Sequence, residues 1–244
     1  MMGARLLDDG SSPLSLTSHL SLLDLEAPPL AAAGQDGISS RTWWRACHSL
    51  GFLLGGSTFI GGTGALYLPG AAASTVSAAL YILGSAGFLS VDALELAALS
   101  LSSSPPLLLA NVALSCAGSS LYVVGSAGFL PQLRGPAAGG SGFGLAGPAL
   151  GVWGFFLGSL LIGVSQCFKL ARLARGGCAA ADARNAAGVE ASAGLGALFF
   201  LVGTVLFAFG ASAPLVLAVW MAGSVAYTVG AACIIWRHSL MGLA

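Results

Sequence analysis

Charge is what this sequence has least of: nine Lys and Arg and nine Asp and Glu in 244 residues, 7% of the chain, for a formal net charge of zero. So little charge of either sign excludes a basic nucleic-acid surface and an acidic interaction domain, and leaves only the placement of the few charges as information. Cysteine is sparse and scattered as well. Cys47, Cys116, Cys167, Cys178 and Cys233 show neither CxxC nor Cys/His spacing, which argues against a disulfide framework and against a zinc site. The signatures that carry chemistry are missing too. The chain contains no HExxH helix, no glycine-rich phosphate loop ending in Lys-Ser/Thr, no Asn-Pro-Ala pair of the aquaporin kind and no Pro-x-Asp/Glu-x-x-Lys/Arg of the mitochondrial carriers. Gly142-Phe143-Gly144 and Gly194-Leu195-Gly196 open no strand-helix unit, and 36 glycines produce such triplets by composition alone. No catalytic, cofactor-binding or metal-ligating set emerges, and the expectation is a protein that is not an enzyme.

What is present is apolar. Hydrophobic residues make up 56% of the chain and the mean hydropathy is +0.89, far outside the usage of soluble globular proteins. The apolar residues gather in six runs, at about 47–68, 73–95, 107–130, 148–170, 191–210 and 214–236. Each has the roughly 20 residues that cross about 30 Å of hydrocarbon at about 1.5 Å per residue, and backbone groups in lipid must pair within their own segment. The reading is an all-α membrane protein of six transmembrane helices. Residues 1–42, which hold Asp8, Asp9, Asp24, Glu26 and Asp36, read as a flexible acidic tail without the character of a secretory signal or transit peptide.

Short links after the first and fifth runs group the helices as three tandem hairpins, at 45–96, 107–173 and 190–237. With both termini on the cytoplasmic or equivalent side, that side collects Arg5, Arg41, Arg45, Lys169, Arg172, Arg175, Arg184 and Arg237 and leaves Arg134 alone on the other. Trp43, Trp44 and Trp236 then fall at the inner interface, with Tyr67 and Trp153 near the outer one, as in an aromatic belt.

One pattern recurs in every run: Gly, then Gly, Ser or Thr, then two free positions, then a bulky residue. It appears as Gly55 to Phe59, Gly84 to Phe88, Gly118 to Tyr122, Gly158 to Ile162, Gly203 to Phe207 and Gly223 to Tyr227. On a helix the first and fifth positions share a stripe, so the pattern supplies a notch and a knob for close helix contact. The residues Gly84-Ser85-Ala86-Gly87-Phe88, Gly118-Ser119-Ser120-Leu121-Tyr122, Gly203-Thr204-Val205-Leu206-Phe207 and Gly223-Ser224-Val225-Ala226-Tyr227 resemble the YrhK-like domain family, small two-helix membrane units with a Gly-Ser-x-x-Phe pattern in each helix. The resemblance implies up to three copies over 45–237. It implies no biochemical activity.

Asp92 and Glu95 are the acids within the runs, Glu190 being placed just before the fifth helix, and both are expected to reach water at the inner end of helix two. Asp92 is the candidate intramembrane acid, and the alternative to an interfacial position for these acids is a proton or cation site. Glu95 and Lys169 each follow a motif glycine, Gly84 or Gly158, by eleven residues, which returns them to the packing stripe and predicts an ion pair between the first two hairpins. His48 and His238 sit at inner helix ends, where interfacial hydrogen bonding is expected. The functional expectation is a multi-pass scaffold or interaction protein that needs no cofactor. Its partners are the bilayer and a second copy or another membrane protein. The alternative is a channel or secondary transporter for a small solute or ion, with a path lined by Ser, Thr and Asn111.

Overall fold

A computed structural model of the chain describes residues 41–100, 106–131, 147–175 and 181–242, and these form six α-helices. They are α1 (Thr42–Ala65), α2 (Ala71–Ser100), α3 (Pro106–Gly128), α4 (Gly147–Arg175), α5 (Ala181–Ala208) and α6 (Ala213–Gly242). The expected acidic tail before residue 41 and the link at 132–146 lie outside the described residues, and with them Arg5, Arg134 and Cys178.

Five of the helices, α2 to α6, are long and apolar enough to span a membrane, which suits a multi-pass membrane protein. α1 falls short of that measure. Its 24 residues include Arg45, His48 and six glycines, which dilute the hydropathy without breaking the helix. Several helices also run past their apolar cores: α2 continues to Ser100, α4 to Arg175 and α6 to Gly242, while α5 begins at Ala181.

Helix ends follow local chemistry. α3 starts on Pro106, whose missing N–H is one that no helix would use in its first turn. α5 stops where Gly210 takes φ +74°, with Ala211 N–H donating to Leu206 O at 2.9 Å and Gly210 N–H to Phe207 O at 3.1 Å, the paired bonds of a Schellman turn. Gly70, at φ +104°, ends the equally short link between α1 and α2.

Each helix packs on the ones before and after it, and α1 closes the ring against α6. The pairs α1/α2, α3/α4 and α5/α6 share one device, in which the glycine of each helix receives the bulky residue of the other. A Cβ on Gly55 would meet the Phe88 ring at 2.5 Å, and Gly84 faces Phe59 in return. Gly118 faces Ile162 while Gly158 faces Tyr122, and Gly223 faces Phe200 while Gly196 faces Tyr227.

That last pair corrects the register expected for the fifth helix. Phe207 is 42% exposed, whereas Phe200 is 1% exposed and packs as the knob, with Gly196 as its notch. Seven residues return to within about 20° of the same stripe, so both registers present one face and only depth along the axis separates them. Gly203 remains a tight contact, but it receives Trp220 rather than heading the motif. Ala197 after Gly196 is not the Gly, Ser or Thr that follows the first glycine in the other copies, which is why the sequence pattern chose the wrong turn.

The centre of the ring is filled with side chains. Phe59, Tyr122 and Phe200 meet there with centroids 5.2 to 6.1 Å apart. Phe88, Ile162 and Tyr227 lie toward the end that carries the α1 amino terminus, and Tyr81, Phe155 and Trp220 toward the opposite end. In lipid no hydrophobic drive holds helices together, so this dispersion and edge-to-face contact is the main cohesive term, at about 0.5–1.5 kcal/mol per well-placed aromatic pair.

Candidate functional site

Polar side chains are buried on both sides of the ring plug, and they enter through the same helical stations. Residues that follow the packing glycines Gly62, Gly125 and Gly203 are Thr63, Ser126 and Thr204; those that follow Gly84, Gly158 and Gly223 are Ser85, Ser159 and Ser224, and all six are buried. These hydroxyls join neighbouring pairs of helices. Ser85 and Ser126 bridge α2 and α3 at 3.1 Å, and Thr63 and Ser224 bridge α1 and α6 at 3.2 Å. At the third junction Ser159 bonds instead to the Tyr122 hydroxyl at 2.8 Å, and Thr204 Oγ1 is buried with no partner. Tyr122 Oη also lies 3.1 Å from Tyr227 Oη, and Thr63 Oγ1 lies 2.5 Å from Tyr81 Oη.

The charged layer occupies the end where the α1 amino terminus meets the carboxyl ends of α2, α4 and α6. All of the described Lys and Arg residues belong to the helix segments gathered there or, for Arg41, directly precede one: Arg41, Arg45, Lys169, Arg172, Arg175, Arg184 and Arg237. Lys169 Nζ contacts Glu95 Oε2 at 3.0 Å, so the structure brings the two predicted partners together. Two further groups join them. His48 Nε2 lies 3.0 Å from Glu95 Oε1, and Glu190 Oε2 lies 3.7 Å from Lys169. Glu190 therefore does not precede the fifth helix. It sits in the tenth position of α5, because that helix starts ten residues earlier than its apolar run.

Trp44 is corrected as well. Expected at the interface with Trp43 and Trp236, it is buried, stacks on His48 with centroids 4.6 Å apart and donates Nε1–H to Leu94 O at 3.4 Å. Trp43 and Trp236 remain exposed, as do Tyr67 and Trp153 toward the other end. His238 is tied to the same corner, its Nδ1 being 2.8 Å from Ser49 Oγ and 3.2 Å from Arg45 O.

Asp92 was expected to reach water, and it does not. It is 8% exposed, one turn deeper than Glu95, and both carboxylate oxygens accept from α3: Oδ1 from Ser115 Oγ at 2.9 Å and Oδ2 from Ser119 Oγ. A cavity of about 20 Å³ adjoins it, lined from α4 by Gln166 and from α6 by Tyr227. A larger cavity, about 100 Å³, opens on the far side of the plug between Tyr81, Phe155 and Trp220, with Phe207 at its rim.

Sequence reasoning found the stations eleven residues after Gly84 and Gly158, but two others pass unnoticed in it. Asp92 and Gln166 each follow those glycines by eight residues, and His48 and Asn111 each precede Gly55 and Gly118 by seven. In α5 and α6 the matching positions hold Val189, Ala231 and Ile234, all buried. These stations are thus polar in α1 to α4 and apolar in α5 and α6, while Glu190 joins the layer from α5 and His238 from α6. Aligning helices on their packing glycines would have exposed the signal.

Among the described residues no group of three or more His, Cys, Asp and Glu side chains could hold a metal ion. What the layer can do chemically is neutralise and hold charge inside an apolar bundle. Compared with known proteins, the chain matches no family model, no curated protein and no solved structure, so its role is read from this geometry.

Proposed function

We propose that the chain is a multi-pass membrane protein with a structural or interaction role rather than a conduit or an enzyme. On this reading all six helices span. They form three hairpins around a pseudo-threefold axis, each a unit of the kind the YrhK-like pattern describes, with both termini on the cytoplasmic or equivalent side. The reciprocal glycine-and-knob pairing of α1/α2, α3/α4 and α5/α6 supports the hairpin reading, and the gathering of Lys and Arg at one end supports the orientation. Partners are the bilayer together with another membrane protein or a second copy.

The single observation that carries the non-conducting role is the fully buried ring of Phe59, Tyr122 and Phe200 across the centre of the bundle. Three bulky side chains leave no room for water between the two cavities, and a hydrated ion or polar solute does not cross dry aromatic rings at useful rates. Protein reconstituted into vesicles should give no uptake of sodium, potassium, protons or small polar solutes above empty vesicles. Saturable uptake of any of them would overturn the reading.

A second reading, a secondary transporter in an occluded arrangement, is favoured by Asp92, since a buried carboxylate inside a membrane bundle is expensive and tends to mark an ion pathway. It requires uptake that is lost in Asp92→Asn.

A further inference from the structure

We infer that Asp92 and Gln166 form a buried site for a single small monovalent cation, of the size of sodium, on the axis of the bundle. The argument starts from charge. Within the polar layer Lys169 already faces two carboxylates, at 3.0 Å from Glu95 and 3.7 Å from Glu190, and Glu95 also holds His48. Asp92 takes no part in these pairs. Its described partners are the neutral hydroxyls of Ser115 and Ser119, and among the described residues no Lys, Arg or His lies within ion-pair distance of it. Lys169 attracts Asp92 at longer range but already serves two carboxylates, and a carboxylate removed from water with so little counter-charge loses more than two hydroxyl bonds return.

The second observation is independent of the acid. Gln166 is 5% exposed, and its side-chain oxygen has no hydrogen-bond partner although it is fully shielded. A buried acceptor left without a partner is one that a bound water or ion would satisfy, and unlike the unpartnered Asn111 Oδ1 and Thr204 Oγ1 it belongs to a residue lining a cavity beside a carboxylate. Gln166 and Asp92 line the same cavity, which at about 20 Å³ has room for one water-sized occupant. The remaining polar lining is oxygen again: Ser115, Ser119 and Tyr227.

An all-oxygen lining suits a hard cation, and the number of charges selects its valence. Calcium sites collect several carboxylates, and magnesium retains waters that a one-molecule cavity cannot admit. One carboxylate, two hydroxyls that donate to it while keeping lone pairs free, and one amide oxygen balance a single positive charge. The small volume favours lithium and sodium over potassium. The inference holds whether or not the bundle conducts, since binding requires only that the occupant exchange during breathing of the helices.

The test measures binding on the purified full chain in detergent, apart from any flux. Thermal unfolding and titration calorimetry are run with sodium, lithium and potassium chloride, with choline chloride keeping the ionic strength constant. Sodium should raise the melting temperature saturably and give a one-site binding heat, because a ligand held only by the folded state stabilises it. Gln166→Leu keeps the volume, removes the orphaned oxygen and should weaken the apparent affinity about tenfold or more. Asp92→Asn should abolish the response, with Ser119→Ala as the milder probe should that variant fail to fold. Indifference of the native protein to all three cations would mean that a proton neutralises Asp92 and would overturn the site. A sodium response that survives unchanged in Gln166→Leu and Ser119→Ala would place the cation elsewhere and overturn it equally.

Discussion

Lys169 is the residue on which the charged layer turns, because one ammonium group serves Glu95 and Glu190 from two different helices. Its side chain is nearly buried, so the pairs lose more to desolvation than surface pairs and cannot be broken cheaply. Glu95→Lys sets a second ammonium beside Lys169 and His48, and should cost about 3 kcal/mol or more in thermal unfolding of the detergent-solubilised protein. The exchange Glu95→Lys with Lys169→Glu restores one opposite-sign pair but turns the new carboxylate toward Glu190, so recovery should be partial. Adding Glu190→Gln to the exchange should then recover more. A triple variant no more stable than Glu95→Lys alone would show that these side chains do not form one unit. The Glu95 and Lys169 pairing was legible from a common spacing after Gly84 and Gly158. The share taken by Glu190 was not, because its helix begins in a polar stretch, Ala181 to Val189, that hydropathy reads as a link.

Helices in this protein meet through glycine notches, and the depth of each notch predicts its sensitivity. A Cβ on Gly118 would lie 2.7 Å from Ile162 and 3.0 Å from Gly158 O, and one on Gly203 would lie 2.7 Å from Trp220 Nε1, whereas Gly64 has nothing within 4 Å. Gly118→Leu and Gly203→Leu should each destabilise by about 1–3 kcal/mol through forced separation of the helices, while Gly64→Leu should be close to silent. Unfolding temperatures of the three variants side by side decide it, and equal damage at Gly64 would remove the special status of the stripe. The corrected register has its own check. Phe200→Ala should cost about 3–5 kcal/mol and Phe207→Ala under about 1 kcal/mol, since Phe200 is fully buried whereas Phe207 is exposed beside Phe129 and Trp220. The pattern of glycine and bulky residue was readable in every helix. Which of two turns of α5 carried the knob was not, because residues seven apart share a face and only the partner helix fixes the depth.

For the molecule as a whole, the gathering of arginines at one end predicts how it sits in a bilayer. In a background without native cysteines, single cysteines at Ser212 and Pro69, in the short links, should be labelled by an impermeant thiol reagent from one side. Cysteines at Arg175 and Ser239 should be labelled from the other. Labelling of Pro69 and Arg175 from the same face would remove the six-span arrangement. The ring closure that joins α1 to α6 adds a requirement absent from any hairpin alone: Thr63 and Ser224 meet across 161 positions of chain. Such a contact brings no local sequence signal, because neither residue is unusual in its own helix.

Composition and run length by themselves determined the helical class, the apolar character and the notch-and-knob face of each helix, because these follow from what lipid demands of a backbone and from the period of the helix. Tertiary structure alone decided that Asp92 is buried rather than wetted, that Trp44 stacks inward on His48, and that Gln166 shares a cavity with Asp92. The reason is geometric. Hydropathy reports how apolar a stretch is on average, but whether a polar side chain meets water, lipid or another polar side chain depends on the rotation and depth of its helix against its two neighbours in the ring, and those are set by packing between residues far apart in the chain.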